Sequence, residues 1–239
     1  MRQDERDFLK GYDPSVFPPA AVATDVAVFT LQEGKLKVLL LLRAEHPFQD
    51  AWGLPGGFLQ PQEDLAQAAS RVLAEETGAR GVYLEQLSTF GRAGRDPRMR
   101  VVSVAYTAFV PWNRVEVRTG RRTREVEWFP AHALPRPLAF DHAEILSTAR
   151  ARLRAKLEYS PVALEFLPAR FTLGQLQGVY EAVLGRAVDK RNFRQKVLKA
   201  RLVRRAPGVL KGRHPPAAFY EAGPGAREGA IYPPFRWDR

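Results

Sequence analysis

The chain has no cysteine among its 239 residues, so it can form neither disulfide bonds nor thiolate metal sites. It also has no long apolar run, and residues 38–42, which are all Val or Leu, are far too few to cross a bilayer. The first twenty residues are charged and proline-bearing, unlike a secretory signal peptide. From these absences we expect a cytoplasmic protein with no membrane partner.

Acidic residues are scarce in the last third of the chain. Residues 1–150 contain 19 Lys and Arg against 19 Asp and Glu, whereas residues 151–239 contain 18 against 7. The whole net charge of +11 therefore belongs to the last third. A basic surface that served only solubility would not explain a neutral first part. The asymmetry favours a polyanionic partner, nucleic acid before membrane.

A motif of fixed spacing lies between residues 57 and 78. Its members are Gly57, Glu63, Arg71, Leu73, Glu75, Glu76 and Gly78. Positions 72, 75 and 76 are three and four apart and share one helix face. Three carboxylates there would suit Mg²⁺, which prefers oxygen ligands, and could activate a water on a diphosphate. Position 72 is Val72, however, which has no lone pair, so only Glu75 and Glu76 remain as candidate metal ligands.

This spacing resembles the Nudix box, a loop–helix–loop that holds metal ions against a diphosphate. Before it, Gly56 and Gly57 would let the backbone approach a phosphate closely. The family pattern has a glutamate at position 72, which in many members is a metal ligand or general base. We therefore expect no catalytic residue here and treat the box as a remnant formed by Gly57, Glu63, Arg71, Glu75 and Glu76. The alternative is an enzyme that takes its base from elsewhere, with Glu125 and Glu127 as candidates.

Periodicity predicts the elements around the box. Strands are predicted at residues 22–30, 36–43, 83–91, 100–110 and 125–130, and helices at 63–76 and 142–157. Strands on both sides of a central helix, closed by a second helix, predict an α+β fold. By its resemblance this is a Nudix α/β/α sandwich over residues 1–158, acting as the effector-sensing domain.

Arginines are concentrated in QLSTFGRAGRDPRMR, residues 86–100. Guanidinium groups pair bidentately with phosphate and stack on adenine, and an aromatic such as Phe90 could offer a stacking face. The segment is similar to one in Nudix proteins that handle ADP-ribose, so ADP-ribose or a related nucleotide is the expected effector. The candidate effector-binding residues are Arg43, Gly56, Gly57, Phe90, Arg95, Asp96, Arg98 and Arg100. A solvated arginine loop is the alternative, and His46, His132 and His142 are assigned no role.

The sequence pattern of residues 159–222 predicts a winged helix-turn-helix domain. Thr172 and Asp189 are suited to cap two helices, Gly185 ends the first, and Phe193, Val197, Leu198 and Leu202 form the apolar side of the second. Strands at 202–205 and 217–221 would flank a wing loop. A basic second helix enters the major groove, and a wing contacts phosphates. The candidate DNA-binding residues are Lys190, Arg191, Asn192, Arg194, Gln195, Lys196, Lys199, Arg204, Arg205, Lys211 and Arg213.

The two halves together resemble Nudix-related transcriptional regulators of NAD metabolism. That resemblance implies a homodimeric repressor on double-stranded operator DNA, released by ADP-ribose or a related nucleotide, with Mg²⁺ not required. One alternative is a Mg²⁺-dependent ADP-ribose pyrophosphatase with an appended DNA-binding domain, and another is a dimerising helical hairpin. A hydrolase of capped RNA is disfavoured because the deep major groove of RNA does not admit such a helix. For the Pro/Gly-rich tail, residues 223–239, we expect either a disordered extension or docking of its aromatic side chains.

Overall fold

The computed structural model describes residues 2–112, 123–210, 216–227, 229, 231, 234 and 235. The chain starts with helix α1 (Gln3–Gly11) and a 3-10 turn (Pro14–Val16), neither of which the sequence pattern predicted. Every described residue before Ala21 is exposed, so this segment does not pack against the rest of the protomer.

A seven-stranded mixed sheet follows. Its strands are β1 (Ala21–Gln32), β2 (Lys35–Arg43), β3 (Trp52–Gly53), β4 (Gly56–Phe58), β5 (Tyr83–Phe90), β6 (Val101–Val110) and β7 (Thr123–Pro130). The main order is β3-β2-β1-β6-β5, with β4 paired to β1 and β7 to β2. β1 and β6 are parallel, and the other pairs are antiparallel. All five predicted strands are present with ends shifted by two residues at most, and the short β3 and β4 are additional.

Two helices cover opposite faces of this sheet. α2 (Leu65–Thr77) packs Leu73 with Val26 and Val28 of β1, whereas α3 (His142–Tyr159) lies on the side of Ala27 and Phe29. Successive side chains of a strand point to opposite faces, so β1 supplies both cores. The predicted α/β/α sandwich is confirmed.

Helix α2 begins later than predicted. Asp64 is its N-cap, and it forms a capping box in which the Asp64 carboxylate and the Gln67 amide exchange hydrogen bonds with each other's backbone N–H groups. Glu63 therefore lies just outside the helix, and Pro61 does not belong to its first turn. The helix ends as predicted at Gly78, whose φ of 73° is the left-handed conformation that glycine adopts freely.

The C-terminal part forms a winged helix-turn-helix. It contains β8 (Phe171–Thr172), α4 (Leu173–Leu184), α5 (Lys190–Lys199), β9 (Val203–Leu210) and β10 (Ala217–Ala222), with strand order β8-β10-β9. Thr172 and Asp189 cap α4 and α5, and Gly185 ends α4 at φ 73°, all as predicted. Two expectations were wrong: β9 continues through Leu210, and Leu198 is 44% exposed because it lies on the outer side of α5.

The two parts share one hydrophobic cluster. Leu153 and Leu157 of α3 belong to the same cluster as Leu176 of α4 and Phe193 of α5. Arg154 of α3 donates hydrogen bonds to the last carbonyls of α4, those of Val183 and Leu184, both at 3.3 Å. Helix α3 therefore lies between the sheet and the helix-turn-helix.

Part of the tail docks on the end of α3. After a short helix α6 (Pro224–Arg227), the backbone N–H groups of Ile231 and Phe235 donate to the carbonyls of Tyr159 and Glu158 at 2.7 and 2.6 Å. Both side chains are buried in the shared core. Docking of the tail's aromatics was one of two alternatives, and Phe235 is an aromatic of the tail that is buried here. In the described part of the chain, no helix combines the length and apolar character that a bilayer span requires.

Candidate functional site: a cleft beside the remnant box and a basic helix

A cleft opens where β1, β2 and β4 meet the loop before β6 and the start of α3. Its lining includes Asp25, Arg43, Gly56, Gly57, Phe58, Glu76, Arg95, Asp96, Arg98, Phe140 and His142. A Cβ on Gly56 would overlap the Asp25 carboxylate, and one on Gly57 would lie 2.9 Å from a methyl of Val72. Both glycines are therefore required by close packing, and they leave the backbone of β4 accessible in the cleft.

A buried ionic network forms the floor of the cleft. The Arg95 guanidinium donates to both carboxylate oxygens of Asp141, at 2.8 and 2.6 Å, and to Asp25 at 3.2 Å. The side chains of all three residues are less than 10% exposed. A bidentate pair in a dry site has both charges satisfied, so Arg95 fixes the loop before β6 against the start of α3.

His142 belongs to the same network. Its Nδ1 accepts the backbone N–H of Leu54 at 2.9 Å, and its Nε2 lies 3.4 Å from Asp25 Oδ1. The contact at Nδ1 orients the ring so that its Nε2 faces Asp25. The sequence pattern gave this histidine no role, because its partners lie in distant segments.

The charge on Asp25 is strongly favoured. Burial raises the pKa of its carboxyl group. The His142 imidazole, the Ser103 hydroxyl and the Arg95 guanidinium lower this pKa by more than burial raises it, to about 2. The Ser103 hydroxyl donates to Asp25 at 2.5 Å. Asp25 is therefore ionised throughout the physiological pH range and cannot act as a proton donor there.

Glu63 and Arg71 of the remnant box form an ion pair. The Arg71 guanidinium donates to the two Glu63 oxygens at 2.9 and 2.6 Å and to the Phe58 carbonyl at 3.0 Å. A hydrogen bond from Arg71 lowers the pKa of Glu63. The pair joins the loop before α2 to β4, which gives these two residues a structural role that needs no catalysis.

The helix face with positions 72, 75 and 76 has two carboxylates. Val72 is 1% exposed and packs beneath Gly57. Glu75 accepts from Arg71 at 3.1 Å, and Glu76 accepts from the Thr123 hydroxyl at 2.7 Å. Within residues 2–112 and the other described segments, no group of three His, Asp or Glu is placed to hold a metal ion. Of the two candidate ligands, Glu76 lines the cleft, whereas Glu75 is not among its described lining residues.

The predicted effector residues separate into three groups. Arg43, Gly56, Gly57, Asp96 and Arg98 line the cleft. Arg95 also lines it, and its guanidinium is paired with Asp25 and Asp141. Phe90 and Arg100 do not line it: Phe90 borders a separate groove beside Arg92 and Glu144, and Arg100 is exposed. The aromatic rings in the cleft are instead Phe58 and Phe140.

Helix α5 presents a continuous basic surface. Phe193 and Val197 are buried, whereas Lys190, Arg191, Arg194, Gln195 and Lys199 are exposed and Asn192 is half-buried. Apolar residues at i and i+4 hold the helix against α4, which directs the charged positions outward. The residues of α5 that the sequence analysis proposed as DNA contacts therefore lie on one accessible surface.

Three of the remaining DNA candidates have different surroundings. Lys196 is half-buried, and burial lowers its pKa despite the nearby Glu158 carboxylate. Arg204 pairs with Glu221 across the wing at 2.7 Å, and Arg205 is exposed. Lys211 and Arg213 lie outside the described residues.

Family models match both parts of the chain. A NUDIX domain model matches residues 21–149, and a model of the NrtR DNA-binding winged helix domain matches residues 163–222. The ADPR responsive transcriptional repressor NtrR of Acinetobacter baylyi is 35% identical over 219 residues, covering 90% of this chain and 87% of that protein. The ADP-ribose pyrophosphatase of Methanocaldococcus jannaschii is 36% identical over 121 residues, covering 51% of this chain and 70% of that enzyme.

Solved structures agree with both domains. Shewanella oneidensis NrtR complexed with a 27mer DNA is 36% identical, with a TM-score of 0.81 over 90% of this chain and 99% of that one. Its NUDIX domain complexed with ADP ribose is 40% identical, with a TM-score of 0.56 over 64% of this chain and 99% of that one. The chain therefore belongs to the Nudix family and, within it, to the NrtR-type proteins that combine a NUDIX domain with a winged helix DNA-binding domain.

Proposed function

We propose that this protein is a transcriptional repressor that binds operator DNA through α5 and its wing, and that ADP-ribose or a related nucleotide releases it. The observation that carries the proposal is the exposed basic surface of α5 on a molecule whose other half is electrically neutral. Two relatives support it: the Acinetobacter protein is an ADPR responsive repressor, and the Shewanella protein was crystallised with DNA.

The nucleotide is proposed to bind in the cleft. Its diphosphate would lie against the backbone of Gly56 and Gly57 and the Arg43 guanidinium, because amide N–H groups and arginine are the protein's best phosphate donors. The Shewanella NUDIX domain in complex with ADP ribose supports this choice of ligand. Arg95 contributes by holding the loop before β6, since its Nε and one terminal nitrogen are paired with Asp141 and Asp25.

We propose that the protein acts as a homodimer. A helix-turn-helix protein recognises a palindromic operator with two recognition helices one DNA turn apart, which a single chain with one such helix cannot provide. Release then requires the nucleotide to prefer the dimer geometry that cannot reach both half-sites. Helix α3 is a suitable link, because its first residue, His142, lines the cleft and Arg154 near its other end contacts α4.

Catalysis is proposed to be impaired. Val72 takes the place of a carboxylate, and the Glu63–Arg71 pair is accounted for by its structural contacts. Glu125 and Glu127, the candidate substitute bases, are exposed on β7 and are not among the described residues that line the cleft. The second candidate function is a Mg²⁺-dependent ADP-ribose pyrophosphatase, favoured by the Methanocaldococcus relative and by the retained Glu75 and Glu76.

One preparation can test both functions. Duplex DNA binding would be measured with and without ADP-ribose, beside Mg²⁺-dependent turnover of ADP-ribose. We expect specific duplex binding that is reversed by a nucleotide recovered intact. Rapid turnover without specific duplex binding would instead establish the enzyme. A preference for single-stranded RNA over duplex DNA would contradict the repressor and favour a hydrolase acting on RNA.

A further inference from the structure

We infer that the C-terminal tail positions the recognition helix. It fastens the end of α5 to the end of α3 and so fixes the orientation of the winged helix domain relative to the Nudix domain. Its effect on release from DNA rests on the proposed function. The match to the winged helix domain model ends at residue 222, so the tail lies outside the matched domain. We use the name tail strap for four residues of the tail: Gly223, Gly225, Ile231 and Phe235.

One end of the tail strap lies against the chain that follows α5. The backbone N–H groups of Gly223 and Gly225 donate to the carbonyls of Leu202 and Arg201 at 2.9 and 3.0 Å. A Cβ on Gly223 would overlap the Arg201 carbonyl oxygen, and one on Gly225 would overlap that of Ala200. Both glycines are buried, and their lack of a side chain permits this close backbone contact. The tail is therefore attached to the end of the recognition helix through its backbone.

The other end of the tail strap is attached to the end of α3. The last four carbonyls of a helix have no partner within that helix, and those of Glu158 and Tyr159 belong to this group in α3. They accept hydrogen bonds from the backbone N–H groups of Phe235 and Ile231 at 2.6 and 2.7 Å. The side chains of Ile231 and Phe235 are 4% and 5% exposed and belong to the same hydrophobic cluster as Leu157 of α3. The tail thus satisfies the end of α3 and buries apolar surface against it.

Two directional attachments hold the winged helix domain on α3. Arg154 of α3 donates to carbonyls at the end of α4, and the tail strap joins the end of α3 to the end of α5. The hydrophobic core that the two domains share attracts them to each other, but apolar contact has no preferred direction. Hydrogen bonds at one point leave rotation about that point, whereas hydrogen bonds at two separate points restrict it. The tail strap supplies the second point, next to the helix that carries the basic surface.

A fixed orientation affects both DNA binding and release. A palindromic operator requires two recognition helices about one DNA turn apart, so rotational freedom of α5 costs binding free energy. A nucleotide can alter DNA binding only by favouring one of two defined geometries of the protein. His142 at the start of α3 lines the cleft, and the tail strap joins the other end of α3 to α5. Loss of the tail strap should therefore weaken DNA binding and uncouple it from the nucleotide.

The direct test measures the orientation of the two domains. Because the chain has no cysteine, Ser70→Cys on α2 and Gln195→Cys on α5, two exposed helix positions, introduce one spin label in each domain. Pulsed electron paramagnetic resonance gives the distribution of distances between the labels, with unlabelled protein in excess so that the two labels of one chain are measured. The first strap variant combines Ile231→Ser with Phe235→Ser. The matched control is Pro234→Ala, at an exposed residue between them.

A second strap variant guards against loss of folding. Gly225→Ala separates the tail from the end of α5 without exposing the apolar side chains of the tail. Thermal unfolding and calorimetric titration with ADP-ribose check that the Nudix domain of each variant is intact. We expect the distance distribution to broaden in both strap variants and to keep its width in Pro234→Ala. An unchanged width in the folded strap variants would overturn the positioning role, because the tail would then only add buried surface.

DNA binding measures the functional consequence. The probe is a duplex that the wild-type protein selects from a random-sequence library, titrated with and without ADP-ribose. ADP-ribose should weaken duplex binding at least about 5-fold in the wild type and less than about 2-fold in the strap variants, with ADP-ribose affinity unchanged. An undiminished effect of ADP-ribose in the strap variants would overturn the role of the tail in release. Wild-type DNA binding that does not respond to ADP-ribose would instead refute the proposed function, and the label distances would still decide the positioning role.

Discussion

The two halves of the molecule use charge in opposite ways. In the Nudix half, Arg71, Arg95 and Arg98 are each paired with a carboxylate, and residues 1–150 have no net charge. In the winged-helix half, α5 places its basic residues on an open surface. Charges that are paired inside a fold are satisfied by their partners there, whereas exposed charges of one sign are available to a polyanion. The difference indicates which half binds DNA before any ligand is considered.

The largest expected effect is on the buried pairs. Arg95→Ala would leave Asp25 and Asp141 buried without a cation, and should lower the free energy of unfolding by about 3–5 kcal/mol. The control is Arg92→Ala, because Arg92 is 72% exposed and 4.0 Å from Glu144, and should cost less than about 0.5 kcal/mol. Urea unfolding measures both. Equal effects would mean that the buried network does not stabilise the Nudix half.

The second prediction concerns acid stability. The pKa of Asp25 is about 2 in the folded protein, below its usual value of about 3.9 in unfolded chains. Ionised Asp25 should therefore contribute about 2.5 kcal/mol to the free energy of unfolding above pH ~4, and this contribution should disappear as the pH falls toward 2. The gap in unfolding free energy between wild type and Asp25→Asn should narrow over that range. Asp50→Asn, at an exposed carboxylate, should keep the wild-type slope, and a constant gap for Asp25→Asn would contradict the assignment.

A third change adds a carboxylate to the box. Val72→Glu would place one on the helix face one turn before Glu76 and should raise Mg²⁺-dependent cleavage of ADP-ribose at least about tenfold, as a base or metal ligand does. Val72→Gln has the same size without the charge and should show no gain. If Val72→Glu binds Mg²⁺ without added turnover, the Nudix half has lost more than this one residue.

The smallest effect is expected on the open surface of α5. Arg194→Ala should weaken duplex DNA binding about 5- to 10-fold and reduce the salt slope by about one, since one phosphate contact releases about one counterion. Arg80→Ala removes an equally exposed cation from the Nudix half and should change neither quantity. Equal losses from both would show that net charge, rather than the α5 surface, determines binding.

Local signals in the sequence were sufficient for most secondary structure. Asp189, Thr172, Gly78 and Gly185 cap or end their helices as predicted, because a cap is a hydrogen bond within three or four residues or a backbone preference of the residue itself. The predicted start of α2 at Glu63 is two residues too early, because glutamate is a good helix former. In the structure, Glu63 precedes the helix and accepts a hydrogen bond from Arg71.

The cleft was only partly predictable. Its glycines and Arg43 and Arg98 were identified, but Phe90 was chosen as the aromatic, whereas Phe58 and Phe140 line the site. Nothing near Phe140 in the sequence marks it, since its position depends on contacts between segments far apart. Leu198 was similarly misassigned, because helical periodicity does not define where a buried face ends.

The sequence by itself determined the Nudix box with its valine, the two-part organisation and the location of the excess charge, because each is a matter of residue type and spacing. Only the tertiary structure decided which charges are satisfied. Arg95 meets Asp141 and Asp25 across 46 and 70 residues, and His142 meets Leu54 across 88. Such contacts form when the parallel pairing of β1 and β6 and the packing of α3 bring distant segments together. For this reason the cleft, unlike the basic helix, could not be predicted from local sequence patterns.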